Sequence, residues 1–413
     1  MSEKVFVDMD VDGVSLFVGT AYFHVARSQI STTFSYSTEY LTSRSAFPID
    51  PALPLSAAPF SLPGLPGAFD DCAPDRWGRN LVANQHQRAT ANGTLRGRRL
   101  TDVDYLLGVS DATRQGALRF RRQPEGEYLG SGSHIPRLLS LPELQHAADD
   151  AVDGSEVAIK RLLDAGTGSL GGARPKAAVM SDDAQLMLAK FSRPTDPWNV
   201  IAWEKVALEL AAASGISVPR TRLLRIDGRP VLLLARFDRE HQRRIGYISA
   251  MTAVQRKDGE PGDYVDLVEA VEDISRNWRA GCSSLFRRVA FSVAIRNTDD
   301  HLRNHGLLRV GPGWELSPAF DLNPEPDLDV ERQTAIIGAT AATDETDALL
   351  EFGGLCHLRP DAAREILAEV IAAVEDWRTL AGAAGISPSE QNDFGDAFTT
   401  QLGRLRTVLR APL

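Results

Sequence analysis

The chain has 413 residues, 43% hydrophobic and 24% charged, an ordinary balance for a globular protein of two or three packed units. Its net charge of −10 argues against a dominant nonspecific nucleic-acid surface, and no apolar run is long enough to span a membrane. The start, MSEKVFVDMDVDG, is charged and strand-like with no apolar signal core, so cytoplasmic residence is expected, and the widely spaced Cys72, Cys282 and Cys356 support neither a disulfide framework nor a zinc site.

The alternation in VFVDMDVDGVSLFVGTAYF around Asp12-Gly13 predicts a hairpin. A proline-rich stretch from Pro48 to Pro66 leads to FDDCAPDRWGRNLVANQHQ, a loop running into a helix with Asp75 as its candidate cap. Gln115–Arg122 reads as a return strand, and the Gly- and Ser-rich GEYLGSGSH at 126–134 as a connector. LPELQHAADDAV suggests a short helix. After the glycine-rich GTGSLGGARPK at 166–176, AAVMS and QLMLAKF form two antiparallel strands around the polar SDDA. WNVIAWEKVALELAAASG is apolar at helical spacing and stops at Gly215. TRLLRI and PVLLLARF read as strands joined by Asp227-Gly228. After roughly residue 250 helices dominate, in YVDLVEAVEDIS, SLFRRVAFSVAIRN and PDAAREILAEVIAAVEDWRTLAGAAG. The expected class is α+β, with a small β-rich N-terminal subdomain over 1–125, a mixed lobe over 126–245 and a larger helical lobe over 246–413.

The chemistry concentrates in NTDDHLRN at 297–304, between an apolar helix and the strand-like GLLRV. Asp299 and Asn304 stand in the D-x-x-x-x-N arrangement of a kinase catalytic loop, where a carboxylate faces the substrate hydroxyl and an amide oxygen reaches magnesium. Asp321, in SPAFDLNP, is a second acid placed to complete a Mg²⁺ site of oxygen ligands. Gly166 to Gly171 form a literal G-x-G-x-x-G. No helix follows, as a dinucleotide fold would need, and a hairpin does, which suits a flap over ATP phosphates. Gly168, Ser169, Gly171 and Gly172 are its candidate phosphate contacts. Lys190 ends an apolar strand and is placed to neutralise phosphate oxygens, with Glu204 on the next helix as an ion partner. Each element is weak alone, but their order is the one a kinase fold requires.

FDDCAPDRWGR, SDATRQGALRF, GSLGGARPKA, RFDR and NTDDHLRNHGL followed by SPAFDLNP together resemble the HipA-type serine/threonine-protein kinase toxins of bacterial toxin–antitoxin systems. GGARPK and TD-x-H-x-x-N are the most specific of these blocks. The resemblance implies ATP between a mixed lobe and a helical kinase-like lobe, Asp299 as the catalytic acid, Asn304 and Asp321 as Mg²⁺ ligands and Lys190 on ATP phosphate. It places Ser169, with Thr167 nearby, at a loop residue that family members autophosphorylate, where a phosphate would repel ATP. It implies a protein substrate such as glutamyl-tRNA synthetase or another aminoacyl-tRNA synthetase. A small helix-turn-helix antitoxin of the HipB kind, and through it operator DNA, are the implied partners.

His301 and His305 are spaced as zinc ligands would be, but a zincin needs Glu where Leu302 stands, so a structural hydrogen bond within the loop is expected of His301. Arg236 and Asp238 are expected to form a buried structural ion pair. Two other functions fit the same residues: a small-molecule phosphotransferase, since an ATP site does not specify its acceptor, and a catalytically silent kinase-like module bound to antitoxin and DNA.

Overall fold

A computed structural model describes residues 2–26, 29–94, 98–130, 135–166, 174–241 and 243–410. The chain divides into two compact units, one formed by Met1–Pro194 and Leu224–Ile248, the other by Thr195–Leu223 and Ser249–Leu413.

In the first unit, β1 (Ser2–Val11), β2 (Val14–Ala26), β3 (Gln29–Tyr36), β4 (Phe60–Pro63) and β5 (Leu118–Arg121) form a sheet in the order β4-β3-β2-β1-β5. The expected β1–β2 hairpin turns at Asp12-Gly13, whose φ values of 54° and 83° give the left-handed pair that matches strand twist. Every pairing within this sheet is antiparallel. Its inner face is aromatic: Phe69 meets Phe34 edge-to-face at 5.9 Å and Phe120 at 5.2 Å, and all three are buried. Such rings bury large apolar areas, and their tilted geometry adds about 0.5–1.5 kcal/mol per pair.

A second sheet, in the same unit but for the first three residues of its β8, runs β6 (Lys176–Met180), β7 (Leu186–Phe191), β9 (Arg229–Ala235) and β8 (Thr221–Ile226), in that spatial order. The two runs read as strands around SDDA pair antiparallel with Lys176 opposite Lys190. Ala177, Val179, Ala189, Phe191, Val231 and Leu233 pack on Trp77 and Leu81 from the Arg76–Ala91 helix. Leu144, Ile159 and Leu162 of the Leu141–Val152 and Glu156–Asp164 helices complete that core. β9 is buried along nearly its whole length, which explains its unbroken apolar run.

Arg236 and Asp238 form the expected buried pair at 2.6 Å, and Asp238 also accepts from the Gly116 backbone at 2.8 Å and from Arg239 at 2.8 Å. Burial acts to raise the pKa of Asp238, but Arg236 and Arg239 outweigh it and hold the carboxyl well below its ordinary value.

The second unit is mainly helical, with long helices at Val200–Ala213, Tyr264–Ile274, Trp278–Ala294, Asp344–Leu355, Pro360–Val374 and Pro388–Arg410. Trp203 stacks on Phe394 at 4.1 Å, Trp377 stacks on Phe398 at 4.5 Å, and the Trp203 indole donates to Glu390 at 2.9 Å. That bond satisfies the polar edge of a fully buried ring. Gly306–Val310 and Gly313–Leu316 pair as an antiparallel hairpin whose Leu307 and Trp314 are buried. Cys72, Cys282 and Cys356 are buried free thiols, and among the described residues no helix is long and apolar enough to cross a membrane.

Candidate active site

The Trp278–Ala294 helix carries the 297–304 segment at its C-terminal end. Leu285, Val289, Phe291 and Val293 on this helix are buried, so its end is anchored by apolar packing. The helix stops because Arg296 takes a left-handed conformation, φ 58°. The Arg296 guanidinium donates to the carbonyls of Asp327 and Val330 at 2.8 and 2.7 Å. The segment is then stitched to the residues beyond Asp321: Asn323 donates its backbone N–H to the Asn297 side chain at 3.1 Å, and Gln333 donates to the Thr298 carbonyl at 2.9 Å.

Two aspartates sit side by side here, and the fold separates their roles. Asp300 is 3% exposed; it accepts from the Tyr264 hydroxyl at 2.6 Å and Ser292 at 2.7 Å, and lies 3.0 Å from His305. Burial acts to raise its pKa, but His305, Tyr264 and Arg332 prevail and hold it well below the ordinary carboxylate value. Asp299 is exposed. Only Asp299 of the two therefore presents a carboxylate to solvent, while Asp300 is an internal anchor.

Asn304 is buried at the end of a short 3₁₀ turn, Leu302–Asn304, and its side-chain N–H donates to the Asp299 carbonyl at 3.1 Å. This bond orients the amide and leaves its oxygen as the group to be offered elsewhere. The turn itself is closed by backbone bonds from His301 to Asp299 and from Asn304 to His301. Asn304, Asp300 and His305 line a small recess together with Phe320 and Leu322, the two neighbours of Asp321. Asp321 has φ 57°, a left-handed conformation that an aspartate tolerates better than most side chains. Of the expected catalytic and metal residues only Asn304 lines this recess; Asp299 and Asp321 are chain neighbours of residues that do.

His301 bonds within the loop through its backbone, donating to the Asp299 carbonyl at 3.0 Å and accepting from Asn304 at 2.8 Å, while its ring Nδ1 is buried without a partner. His305 supplies the internal contact, through Asp300. No group of three or more His, Cys, Asp or Glu residues is arranged to hold a metal among the described residues.

Lys190 and Glu204 lie in different units. Lys190 is buried on β7 at 5% exposure, and Glu204 is buried in the Val200–Ala213 helix at 1%. Neither is the solvated surface charge that its residue type ordinarily is. Gly168, Ser169, Gly171 and Gly172, with Thr167, lie outside the described residues. The residues on either side of them are firmly held. Gly166, at φ 71°, accepts on its carbonyl from the Thr113 hydroxyl at 2.8 Å, and a side chain there would meet Thr113 at 2.7 Å. Lys176 donates to Asp75 at 2.6 Å, with both side chains buried. Asp75 does cap the Arg76–Ala91 helix, as expected, by accepting from Gly78 at 2.7 Å, so one carboxylate serves the helix and the lysine.

The sequence reading singled out neither Lys176, Thr113 nor Asp300. Lys176 stood inside the quoted GGARPK, and Asp300 beside Asp299, so the signal for both was proximity to a motif and not a pattern of their own.

No curated protein sequence matches the chain. A family model described as the HipA N-terminal domain matches residues 17–100, and one described as the HipA-like C-terminal domain matches residues 168–378. Among solved structures, HipA of the Shewanella oneidensis MR-1 toxin–antitoxin system, solved with HipB and its operator DNA, covers 98% of this chain and 100% of that one, with 15% identity and a TM-score of 0.69. The Helicobacter pylori proinflammatory kinase CtkA covers 58% of this chain and 93% of its own, at 16% identity and a TM-score of 0.42. Choline kinase LicA from Streptococcus pneumoniae covers 58% and 91%, at 12% identity and a TM-score of 0.19. The Shewanella likeness extends over the whole chain and shows a HipA-like fold, whereas the last two are too distant to carry an argument. With its C-terminal model alone matching residues 168–378 of 413, the chain belongs to the HipA family.

Proposed function

We propose that the chain is a Mg-ATP-dependent serine/threonine-protein kinase, the toxin of a toxin–antitoxin module. The observation that carries this reading is the Asp299–Asn304 bond at 3.1 Å, beside an Asp300 already consumed by internal partners. It leaves one exposed carboxylate and one oriented amide oxygen at the end of a rigid helix. Asp299 accepts the proton of the substrate hydroxyl, a role worth roughly 10²–10⁴-fold in rate. Lys190 neutralises phosphate oxygens with Glu204 as its ion partner, and Gly168, Ser169, Gly171 and Gly172 cradle the phosphates of ATP.

Asn304 and Asp321 would hold Mg²⁺. Their donor set fits it: an amide oxygen whose N–H is committed to Asp299, and a carboxylate, both hard oxygen ligands. When bound, the ion offsets the negative charge on the phosphates.

The substrate in this reading is a protein, an aminoacyl-tRNA synthetase such as glutamyl-tRNA synthetase, whose phosphorylation blocks translation in the cytoplasm. A HipB-like helix-turn-helix antitoxin, and operator DNA through it, are the proposed partners, supported by the HipB and DNA bound to Shewanella HipA. Ser169 is the proposed autophosphorylation site.

Incubation of purified protein with labelled ATP and cell lysate tests the reading. We expect label in a synthetase band and phosphate on Ser169 by mass spectrometry, both lost in Asp299→Ala while nucleotide binding survives. Undiminished transfer by that variant removes Asp299 from the reaction. Label confined to small molecules makes the chain a small-molecule phosphotransferase instead.

A further inference from the structure

A second cavity, of about 220 Å³, opens in the helical unit. Its walls come from the Trp278–Ala294 helix, the Gly215–Ser217 turn and the Gly313–Leu316 strand. Trp314 forms an apolar side, and the Ser275 and Ser284 residues bring hydroxyl groups.

Arg288 reaches this cavity from the helix and is 7% exposed. Its guanidinium donates to the Ser317 carbonyl and makes no ion pair among the described residues. The other two buried arginines of this unit, Arg296 and Arg332, both reach the carboxylate of Glu345. Burial pulls the Arg288 pKa down to about 10, and the longer-range field of the Asp300 carboxylate acts against it. A buried guanidinium with one carbonyl acceptor and no direct ion pair has N–H donors to spare, and the one carboxylate in the cavity wall, Glu315, is exposed. Arg287, beside it, is engaged by the Ser214 carbonyl at 2.8 Å and by Glu369 at 2.5 Å, so the counter-charge deficit belongs to Arg288.

We propose that this cavity binds a small oxyanion, the phosphate or carboxylate group of a small molecule, with Arg288 as its counter-ion. The volume is below the roughly 300–1,000 Å³ of drug-sized sites, which restricts the ligand to a compact metabolite or the free ion. Two bonds tie the cavity wall to the segment that runs on to Asp321: Arg288 holds the Ser317 carbonyl, and Ala319 donates to the Ser217 carbonyl at 2.8 Å. Arg288 and Ile216 also line the recess that holds Asp300, Asn304 and His305, so the cavity adjoins the candidate active site, but anion binding to it requires no phosphate transfer.

The test is titration of the full chain with inorganic phosphate and, separately, malonate, against chloride at matched ionic strength, reading Trp fluorescence and melting temperature. We expect a saturable rise in melting temperature with at least one anion, and a fluorescence change that Trp314→Phe removes. Half-saturation should weaken at least about tenfold in Arg288→Gln, as loss of a charged hydrogen bond implies. Ser284→Phe, a change at an exposed position on the cavity mouth, should abolish the response while the protein stays folded, and it carries the test if Arg288→Gln does not fold. Response to phosphate alone, or to malonate alone, names the ligand group. Absence of a saturable response in the wild type, or a wild-type response in Ser284→Phe, overturns the proposal.

Discussion

Asn304 spends its side-chain N–H on the backbone carbonyl of Asp299, 3.1 Å away. The residue proposed to hold the metal is therefore oriented by the residue proposed to take the proton. Replacing Asn304 by Asp keeps the size and an oxygen ligand but puts a carboxylate against that carbonyl. We expect apparent affinity for Mg²⁺ to fall roughly 10–100-fold, as for loss of an orienting contact, with the far-UV spectrum unchanged. Phosphate transfer measured against Mg²⁺ concentration checks it.

The adjacent aspartates should fail differently. Asp299→Asn, at an exposed position, should reduce transfer by roughly 10²–10⁴-fold with little change in melting temperature. Asp300→Leu breaks a buried pair with His305 and two hydroxyl bonds, and should destabilise the chain by about 3–5 kcal/mol. Denaturant titration alongside single-turnover kinetics separates the two, and equal effects in both assays would contradict the division of roles.

Asp321 holds its backbone at φ 57°. Asp321→Asn should leave stability within error and remove transfer, because Asn accepts the left-handed region while lacking the charge. Asp321→Val should lose transfer and also about 1–2 kcal/mol of stability, through the clash of a β-branched side chain in that region. Urea midpoints of the two variants give the comparison.

Acid should weaken the first unit through Asp238. Its folded pKa is held below the unfolded value of about 3.9, so its contribution is complete above pH ~4. As pH falls the unfolded chain takes up the proton first, and the contribution is lost progressively below pH ~4. In Asp238→Asn the stability is lower at neutral pH, and its slope against pH between about 2 and 4 is shallower by up to one proton. Urea denaturation at a series of pH values measures both.

Asp75 and Lys176 should behave as a coupled pair. Lys176→Met should cost less than Asp75→Ala, because removal of Asp75 leaves a buried ammonium and also uncaps the Arg76–Ala91 helix, worth about 1 kcal/mol by itself. A double-mutant cycle should return a coupling of about 0.5–3 kcal/mol. Additive effects would mean that the 2.6 Å contact contributes nothing.

Local chemistry was readable in the sequence wherever a few neighbouring residues decide the outcome. Asp12-Gly13 makes its turn from its own φ preferences, Asp75 caps a helix that begins one residue later, and the SDDA hairpin closes between two apolar strands. The D-x-x-x-x-N spacing was equally local, since both residues sit within one turn joined by one hydrogen bond. What spacing does not encode is which of two adjacent aspartates faces inward. Tyr264, Ser292 and His305 decide that, and Tyr264 arrives from 36 residues away. The same holds for the 3.0 Å approach of His305 to Asp300, and for Arg288, whose burial without a direct ion pair exists only once the helices are packed.

The contact between Asp75 and Lys176 spans 101 residues of sequence and joins the two regions matched by separate family models, 17–100 and 168–378. Those regions are consequently not interchangeable parts. A chimera that takes its N-terminal region from a relative without a carboxylate at the Asp75 position inherits a buried lysine that has lost its carboxylate at 2.6 Å. Recombination between relatives should cost least stability where both halves of the pair travel together, which makes this one ion pair a compatibility check on how the two regions are combined.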